Sequence, residues 1–220
     1  MKVTAPLPAS LGDHEALAAQ RLDAATWAYF QGGAADEITL RENRQAWQRL
    51  ALSARVLRPL AGGHTRVSLL GRTLAHPIFV APMAHQRLAH PDGERATALA
   101  AAALGAGLVL STQASTLLED VAPLVLGEAG RGPLWFQLYI QPDRAFTRDL
   151  VQRAEAAGYE ARVLTVDAPV SGVRDQERRT GFVLPPGIST VNLLGLQSPA
   201  PARLQPGQSA LFDDLPAYAP

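Results

Sequence analysis

Two apolar runs, LWFQLYI at residues 134–140 and ARVLTVD at residues 161–167, decide the fold of this chain of 220 residues. Each run has the length and composition of a buried β-strand. Each also ends in two polar residues spaced i, i+2, which are Gln137 with Tyr139 and Thr165 with Asp167. Because side chains alternate faces along a strand, the members of each pair point the same way. Burying polar groups is costly without partners, so such pairs at the carboxyl ends of strands predict a ligand site in an α/β protein.

The same alternation of strand and helix extends outward from these two runs. Further apolar strands are predicted at 76–82 and 107–111, and helices at 92–104, 116–125 and 143–157. Continuous apolar strands separated by helices are typical of parallel strands covered on both faces, with right-handed crossovers between them.

The segments on either side of this alternation differ from it. Residues 13–31 and 36–52 have helical spacing, and residues 67–74 predict a small hairpin around Leu70-Gly71. After residue 175 the chain becomes rich in Pro, Gly, Ser and Ala without a periodic pattern, which predicts a long loop.

Four strands leave two architectures open. A closed parallel barrel needs eight strands and about 250 residues. A small open sheet needs fewer strands, but no G-x-G-x-x-G follows a strand here, and the glycine cluster from Gly127 to Gly132 precedes one. Periodicity therefore predicts either a small open α/β sheet or half of a barrel.

Composition excludes several functions. The chain is 47% hydrophobic and 18% charged, with 20 basic and 20 acidic residues, so no basic field for nucleic acid is apparent. The absence of cysteine excludes thiol catalysis and thiolate metal sites. Neither a signal-peptide pattern nor an apolar run of transmembrane length is present, and a cytoplasmic location is expected.

Lysine and histidine are unevenly placed. Lys2 is the sole lysine, which excludes a Schiff-base or P-loop lysine within the folded body. All five histidines lie within the first 90 residues, so none follows the two strands quoted above. No two histidines stand at a helical spacing such as H-x-x-x-H, and no metal site is expected.

Short motifs from about Tyr29 to Pro186 occur together in a characteristic order. They are YFQGGA at 29–34 with Thr39-Leu40 and Asn43, Pro77-Ile78, Ala81-Pro82, LAHP at 88–91 with Gly93-Glu94, LST at 110–112, FQLY at 136–139, LTVD at 164–167 with Pro169, Arg174, and FVLPP at 182–186. In this order they resemble the amino-terminal half of the FMN-dependent 2-hydroxy-acid dehydrogenases and oxidases, the family of glycolate oxidase, lactate oxidase and mandelate dehydrogenase.

The resemblance implies an α/β fold of the TIM (β/α)8-barrel type, with FMN at the carboxyl ends of the strands. This chain would form one truncated domain over residues 1–220. Residues 1–75 would hold the N-terminal helices and hairpin, residues 76–175 about the first four β/α units, and residues 176–220 a long Pro/Gly-rich loop after the fourth strand.

The resemblance also implies roles for individual residues. The expected FMN contacts are Pro82, Met83, Ala84, Ser111, Gln137 and Thr165. The expected substrate contacts are Tyr29, Tyr139 and Arg174, with Tyr139 also holding the reacting oxygen. Asp167 resembles the aspartate that orients a catalytic histidine. An anionic substrate requires a cation and hydroxyl donors, and a histidine that becomes cationic is stabilised by a nearby carboxylate.

Departures from the family pattern qualify these roles. In the family the histidine base, a flavin-binding lysine, a second substrate arginine and the FMN phosphate site come from later strands, and none of them occurs in these 220 residues. Gln113 replaces a tryptophan of glycolate oxidases, and His85 replaces a methionine.

The expected function is FMN-dependent oxidation of a lactate-like L-2-hydroxy acid to a 2-oxo acid, with the isolated chain inactive. The electron acceptor would be oxygen, a quinone or a carrier, and the complete enzyme a homo-oligomer. One alternative is an inactive fragment or a half-barrel that needs a separate partner half. Another is a different FMN barrel such as the type 2 isopentenyl diphosphate isomerase, although the motifs at 136–139 and 165–174 favour the hydroxy-acid enzymes.

Overall fold

The computed structural model describes residues 8–167 and 171–196, which divide into two compact units. One unit contains the described residues up to Leu57 together with Gly172–Pro185, and the other contains Arg58 to Asp167, Ser171 and residues 186–196. Pro169 and the part of the predicted loop from residue 197 to 220 lie outside the described residues. A single domain over residues 1–220 stays a prediction.

The helices and strands follow the predicted order. The helices are α1 (Leu11–Arg21), α2 (Ala24–Gln31), α3 (Ile38–Gln48), α4 (Gly93–Ala103), α5 (Leu118–Leu126), α6 (Arg144–Ala156) and α7 (Asp175–Thr180). The strands are β1 (Val67–Leu69), β2 (Arg72–Leu74), β3 (Phe79–Val80), β4 (Gly107–Leu110), β5 (Leu134–Leu138) and β6 (Ala161–Leu164). Short 3-10 helices occupy Gln86–Leu88 and Val191–Leu193.

The first unit departs from the sequence prediction at three places. The single helix predicted at 13–31 is wrong, because Leu22 and Asp23 are extended and the Asp23 carboxylate accepts the backbone N–H groups of Ala25 and Thr26, which starts α2. Helix α3 is shorter than the predicted 36–52, and its Trp47 side chain is 76% exposed. The prediction of a loop throughout 176–220 is wrong at α7, a helix of six residues.

The second unit confirms the predicted hairpin and sheet. Strands β1 and β2 pair antiparallel, and the other four strands form one parallel sheet in the order β3-β4-β5-β6. The strands are shorter than the sequence runs, so Tyr139 lies one residue beyond β5 and Thr165 one residue beyond β6.

The core lies between one face of this sheet and the helices α4, α5 and α6. Leu134, Phe136 and Leu138 of β5 belong to it, together with Leu118 of α5 and Leu150 of α6. Trp135 and Gln137 alternate with these core residues and lie on the opposite face. Helices packed on one face of a parallel sheet favour the half-barrel over the open doubly wound sheet.

The buried carboxylate of Glu94 connects the loops that follow β3 and β4 through hydrogen bonds. Glu94, in the first turn of α4, is 1% exposed. It accepts hydrogen bonds from the backbone N–H of Gln86 (3.2 Å) and from the N–H and hydroxyl of Ser115 (2.7 and 2.8–2.9 Å). The hydroxyl of Thr116 donates a further bond of 2.8 Å. These donors offset the cost of burying the charge and hold the two loops in one arrangement.

The segment after Pro186 is attached to the same region. Asn192 is fully buried, and its side-chain oxygen accepts the backbone N–H of Leu118 at the start of α5 (3.0 Å). Its amide nitrogen donates to the carbonyl of Thr116 (3.2 Å). Both ends of the amide are therefore satisfied, and the 3-10 helix that carries it is held against α5.

Gly132 allows a close approach that no other residue permits. A Cβ atom there would lie 2.3 Å from the carbonyl carbon and oxygen of Ala106. We expect Gly132→Ala to lower the free energy of unfolding by about 1–3 kcal/mol, because the backbone must move. The control is Gly12→Ala in α1, where the nearest atom is the Ser10 hydroxyl at 3.6 Å and a gain of up to about 1 kcal/mol is expected. Urea titration followed by circular dichroism measures both, and unchanged stability of the Gly132 variant would contradict the expectation.

Replacing Glu94 tests the buried carboxylate. We expect Glu94→Gln to reduce the free energy of unfolding by about 1.5–3 kcal/mol, because the new amide N–H groups face donors instead of acceptors. The matched control is Glu119→Gln, which removes a half-exposed pair with Arg153 and is expected to cost less than about 1 kcal/mol. Equal losses in the two variants, measured by the same urea titration, would show that the buried network adds nothing specific.

Candidate functional site

Three predicted flavin contacts form a row at the carboxyl ends of neighbouring strands. Ser111 follows β4, Gln137 lies in β5 and Thr165 follows β6. The Ser111 hydroxyl donates to the side-chain oxygen of Gln137 (3.3 Å), and the Gln137 amide nitrogen donates to the Thr165 hydroxyl (2.9 Å). Ser111 and Gln137 are 5% and 2% exposed. Gln137 and Thr165, two of the four polar side chains predicted to need partners, thus pair with each other, and Ser111 joins them from a third strand.

Thr112 completes this row and was not predicted as a site residue. It is fully buried, and its hydroxyl donates to the backbone carbonyl of Gln137 (2.6 Å) and accepts the N–H of Tyr139 (3.2 Å). Its own N–H donates to the side-chain oxygen of Gln137 (3.1 Å). A threonine after a strand is common, so the sequence holds no signal for this role except its place in the motif at 110–112.

The row retains hydrogen-bonding capacity for a ligand. A glutamine amide has two N–H donors and a threonine hydroxyl has one. Within residues 8–167 and 171–196, one N–H of Gln137 and the hydroxyl proton of Thr165 have no protein acceptor. Donors in a line at a strand edge fit a flat ring with carbonyl oxygens on its rim, such as that of a flavin.

The loop after β3 reaches the same edge of the sheet. Pro82 and Met83 are exposed and Ala84 is half-buried. The next residue, His85, is buried, has a left-handed backbone (φ 51°), and donates its N–H to the carbonyl of Gln113 (3.2 Å). Burial lowers the pKa of His85, while the charge of Glu94 acts in the opposite direction. The predicted contacts at Pro82, Met83 and Ala84 therefore lie in a loop with a fixed conformation.

Glu94, which connects this loop to Ser115, was not predicted as a site residue either. The sequence carried a signal for it. Glu94 shares a helix face with Ala98 and Ala101, which are buried. A carboxylate on an apolar face must find donors inside the protein.

Tyr139 and Asp167 follow the ends of β5 and β6. Tyr139 is half-buried, and the amide nitrogen of Gln141 donates to its carbonyl (3.0 Å). Asp167 is exposed and directly precedes residues outside the described part of the chain. Its role toward a histidine stays a prediction.

Two predicted substrate residues meet in the first unit. The Arg174 guanidinium donates through Nη2 to the backbone carbonyl of Tyr29 (2.7 Å) and through Nε to Glu177 (2.6 Å). The ring of Tyr29 stacks on Phe182 with centroids 4.7 Å apart. The structure therefore joins Tyr29 to Arg174 within this unit, and Ser111, Gln137 and Thr165 within the other.

The described residues carry neither a metal-binding cluster nor a membrane-spanning helix. These residues contain no cluster of three or more His, Asp or Glu side chains arranged to hold a metal ion. No helix among them is long and apolar enough to cross a membrane. The sole lysine, Lys2, lies outside the described residues.

Sequence comparison places the chain among known enzymes. The model of a family described as FMN-dependent dehydrogenase matches residues 18–213. An L-lactate oxidase of Roseobacter sp. (strain GAI101) is 47% identical over 214 residues, which cover 97% of this chain and 56% of the relative. Glycolate oxidase 1 of Zea mays is 42% identical over 184 residues, which cover 84% of this chain and 48% of the relative. The chain thus spans about half the length of the curated relatives that it matches.

Structural comparison agrees with the sequence. A crystal structure of mandelate oxidase with (S)-2-phenylpropionate superposes with a TM-score of 0.78 and 40% identity, over 84% of this chain and 54% of that one. Another mandelate oxidase structure, a mutant that holds a C4a-OH-FMN adduct, gives a TM-score of 0.76. The predicted fold class, an α/β protein with the first four β/α units of a barrel, is confirmed. From its match over residues 18–213 and from its fold, the chain belongs to the FMN-dependent dehydrogenase family.

Proposed function

We propose that Ser111, Gln137 and Thr165 form one wall of a site in which FMN oxidises a lactate-like L-2-hydroxy acid to a 2-oxo acid. The observation that carries the proposal is the row of Ser111, Gln137 and Thr165, joined by hydrogen bonds at 3.3 and 2.9 Å and retaining donors for a ligand. Its place at the carboxyl ends of parallel strands is where α/β barrels bind ligands.

The cofactor would lie along this row. Gln137 and Thr165 would donate to the flavin rim, Ser111 would orient the Gln137 amide, and the backbone of Pro82, Met83 and Ala84 would contact the ring. FMN supplies the two-electron oxidation, while the protein supplies position and electrostatics. The hydrogen bonds of Glu94 support the positioning role of the protein, because they hold the loop at Gln86 and the loop at Ser115 in place.

The substrate would be held by charge and hydroxyl groups. Arg174 is the cation for the substrate carboxylate, with the Tyr29 hydroxyl as a second donor. Tyr139 would donate to the reacting oxygen, and Asp167 would stabilise a histidine once that histidine has taken the substrate proton.

Several observations favour lactate and oxygen. The L-lactate oxidase match covers 97% of the chain at 47% identity, whereas the glycolate oxidase match covers 84% at 42%. Gln113 also replaces the tryptophan expected of a glycolate-type pocket. Since these relatives are named oxidases, oxygen is the proposed electron acceptor, in a cytoplasmic enzyme that is a homo-oligomer when complete.

The 220 residues alone are proposed to be inactive. No histidine follows His90, so no histidine base follows the strands that carry the candidate site. An unpaired half-barrel remains the second candidate, and the exposure of Leu164 (48%) and Val166 (80%) at the sheet edge favours it. Apolar side chains at an open strand edge promote association with another chain or segment.

Flavin binding tests the row directly. We expect Gln137→Leu to weaken FMN binding by about 10-fold or more, because the buried donor and acceptor are both lost. The control, Gln152→Leu, changes the same residue type at an exposed position of α6 and should leave the affinity unchanged. Quenching of FMN fluorescence by the purified chain measures both. Equal affinities would contradict the assignment of Gln137.

An activity assay tests the proposal that the 220 residues alone are inactive. We expect the purified 220-residue chain with FMN to show no L-lactate oxidation, and a fusion to the carboxyl-terminal half of the Roseobacter L-lactate oxidase to produce hydrogen peroxide from L-lactate. In that fusion, Asp167→Asn should lower kcat by about 100-fold or more, while Asp149→Asn on α6, where the side chain is 59% exposed, should not. Saturable L-lactate oxidation by the 220 residues alone would contradict the proposal.

A further inference from the structure

We propose that Glu177 is a positioning residue that orients the Arg174 guanidinium and reduces the positive potential around it. The inference rests on the proposed function in one respect only, namely that Arg174 is the cation for the substrate carboxylate. Glu177 itself has no expected contact with substrate or cofactor, so its effect would act through Arg174.

The geometry around Arg174 fixes the plane of the guanidinium. Its Nε donates to Oε1 of Glu177 at 2.6 Å, and its Nη2 donates to the carbonyl of Tyr29 at 2.7 Å. Two acceptors on two different nitrogens prevent rotation of the planar group. Both anchors are themselves held, since Tyr29 lies in α2 and Glu177 lies in α7.

Part of the guanidinium is left for an anion. Of its five N–H groups, these contacts use one on Nε and one on Nη2, and the described residues provide no acceptor for those on Nη1. The side chain is 40% exposed, whereas that of Glu177 is 21% exposed. A carboxylate ligand therefore has donors to approach in a fixed direction.

Glu177 has a second effect, on charge. A carboxylate at hydrogen-bond distance offsets part of the positive potential of Arg174. Removing that negative charge should strengthen binding of any small anion, while releasing the guanidinium should weaken the discrimination between mirror-image substrates. A residue that served only stability would change neither property.

The same helix supplies a matched control. Arg178 and Asp175 form another i, i+3 ion pair in α7, at 3.7 Å, with the Arg178 side chain 73% exposed. Asp175→Asn and Glu177→Gln therefore remove equal charge from one helix, but only Glu177→Gln releases Arg174.

The experiment compares the full 220-residue chain with these two variants by ¹⁵N NMR of the arginine Nε–H groups. We expect Glu177→Gln to accelerate solvent exchange of the Arg174 Nε proton by about 2- to 5-fold, and Asp175→Asn to leave it unchanged. Urea midpoints of the three chains verify that all are folded. Identical Arg174 exchange in the wild-type and Glu177→Gln chains would overturn the inference.

Titrations of the same samples separate this inference from the proposed function. Acetate should bind Glu177→Gln about 2- to 5-fold more tightly than the wild type. In the FMN-loaded fusion to the carboxyl-terminal half of the Roseobacter L-lactate oxidase, the same substitution should lower the preference of the Arg174 signal for L-lactate over D-lactate. Weaker acetate binding by Glu177→Gln would overturn the charge effect. If Arg174 responds to no lactate even in the FMN-loaded fusion to the carboxyl-terminal half of the Roseobacter L-lactate oxidase, while the exchange difference persists, Glu177 is upheld and the assignment of Arg174 to the substrate is contradicted.

Discussion

The candidate site depends on the hydrogen bonds of the Gln137 side-chain amide. Gln137 lies 2% exposed at the end of β5 and connects Ser111 to Thr165. A buried amide without partners would destabilise the folded chain by several kcal/mol. The neighbouring strands must therefore each place a hydroxyl group within hydrogen-bond distance of the Gln137 amide. The carboxyl ends of three strands are thereby joined by hydrogen bonds, at the edge of the sheet where we propose that the flavin binds.

The sequence predicted what local periodicity controls. The β/α order and the hairpin follow from patterns within a few residues of each other. The row at Gln137 joins residues 26 and 28 positions apart, and the family resemblance named its members. The break at Asp23 was missed because a continuous helical pattern hides a capping carboxylate that acts locally. Helix α7 was missed because six residues are too few to show a period.

Contacts between distant segments were beyond the sequence. The bonds from Glu94 to Ser115 and from Asn192 to Leu118 join residues 21 and 74 positions apart. The contact of Arg174 with the carbonyl of Tyr29 spans 145 positions. Such pairs need the folded chain, although a buried charge on the alanine face of α4 showed that Glu94 required some partner. The family resemblance named Tyr29 and Arg174 but not the backbone bond between them.

Because Gly132 has no side chain, it affects the position of Gln137 as well as the packing against Ala106. Its backbone contact with Ala106 sets where β5 begins beside β4, and the pairing of Leu108 with Leu134 follows from it. Gln137 lies five residues further along, or about 16 Å at the rise of a strand. A slip of one residue would turn Gln137 into the helix-facing core and bring Leu138 to the ligand edge. Gly132, two residues before the start of β5, therefore helps to set the register that places Gln137 beside Ser111 and Thr165.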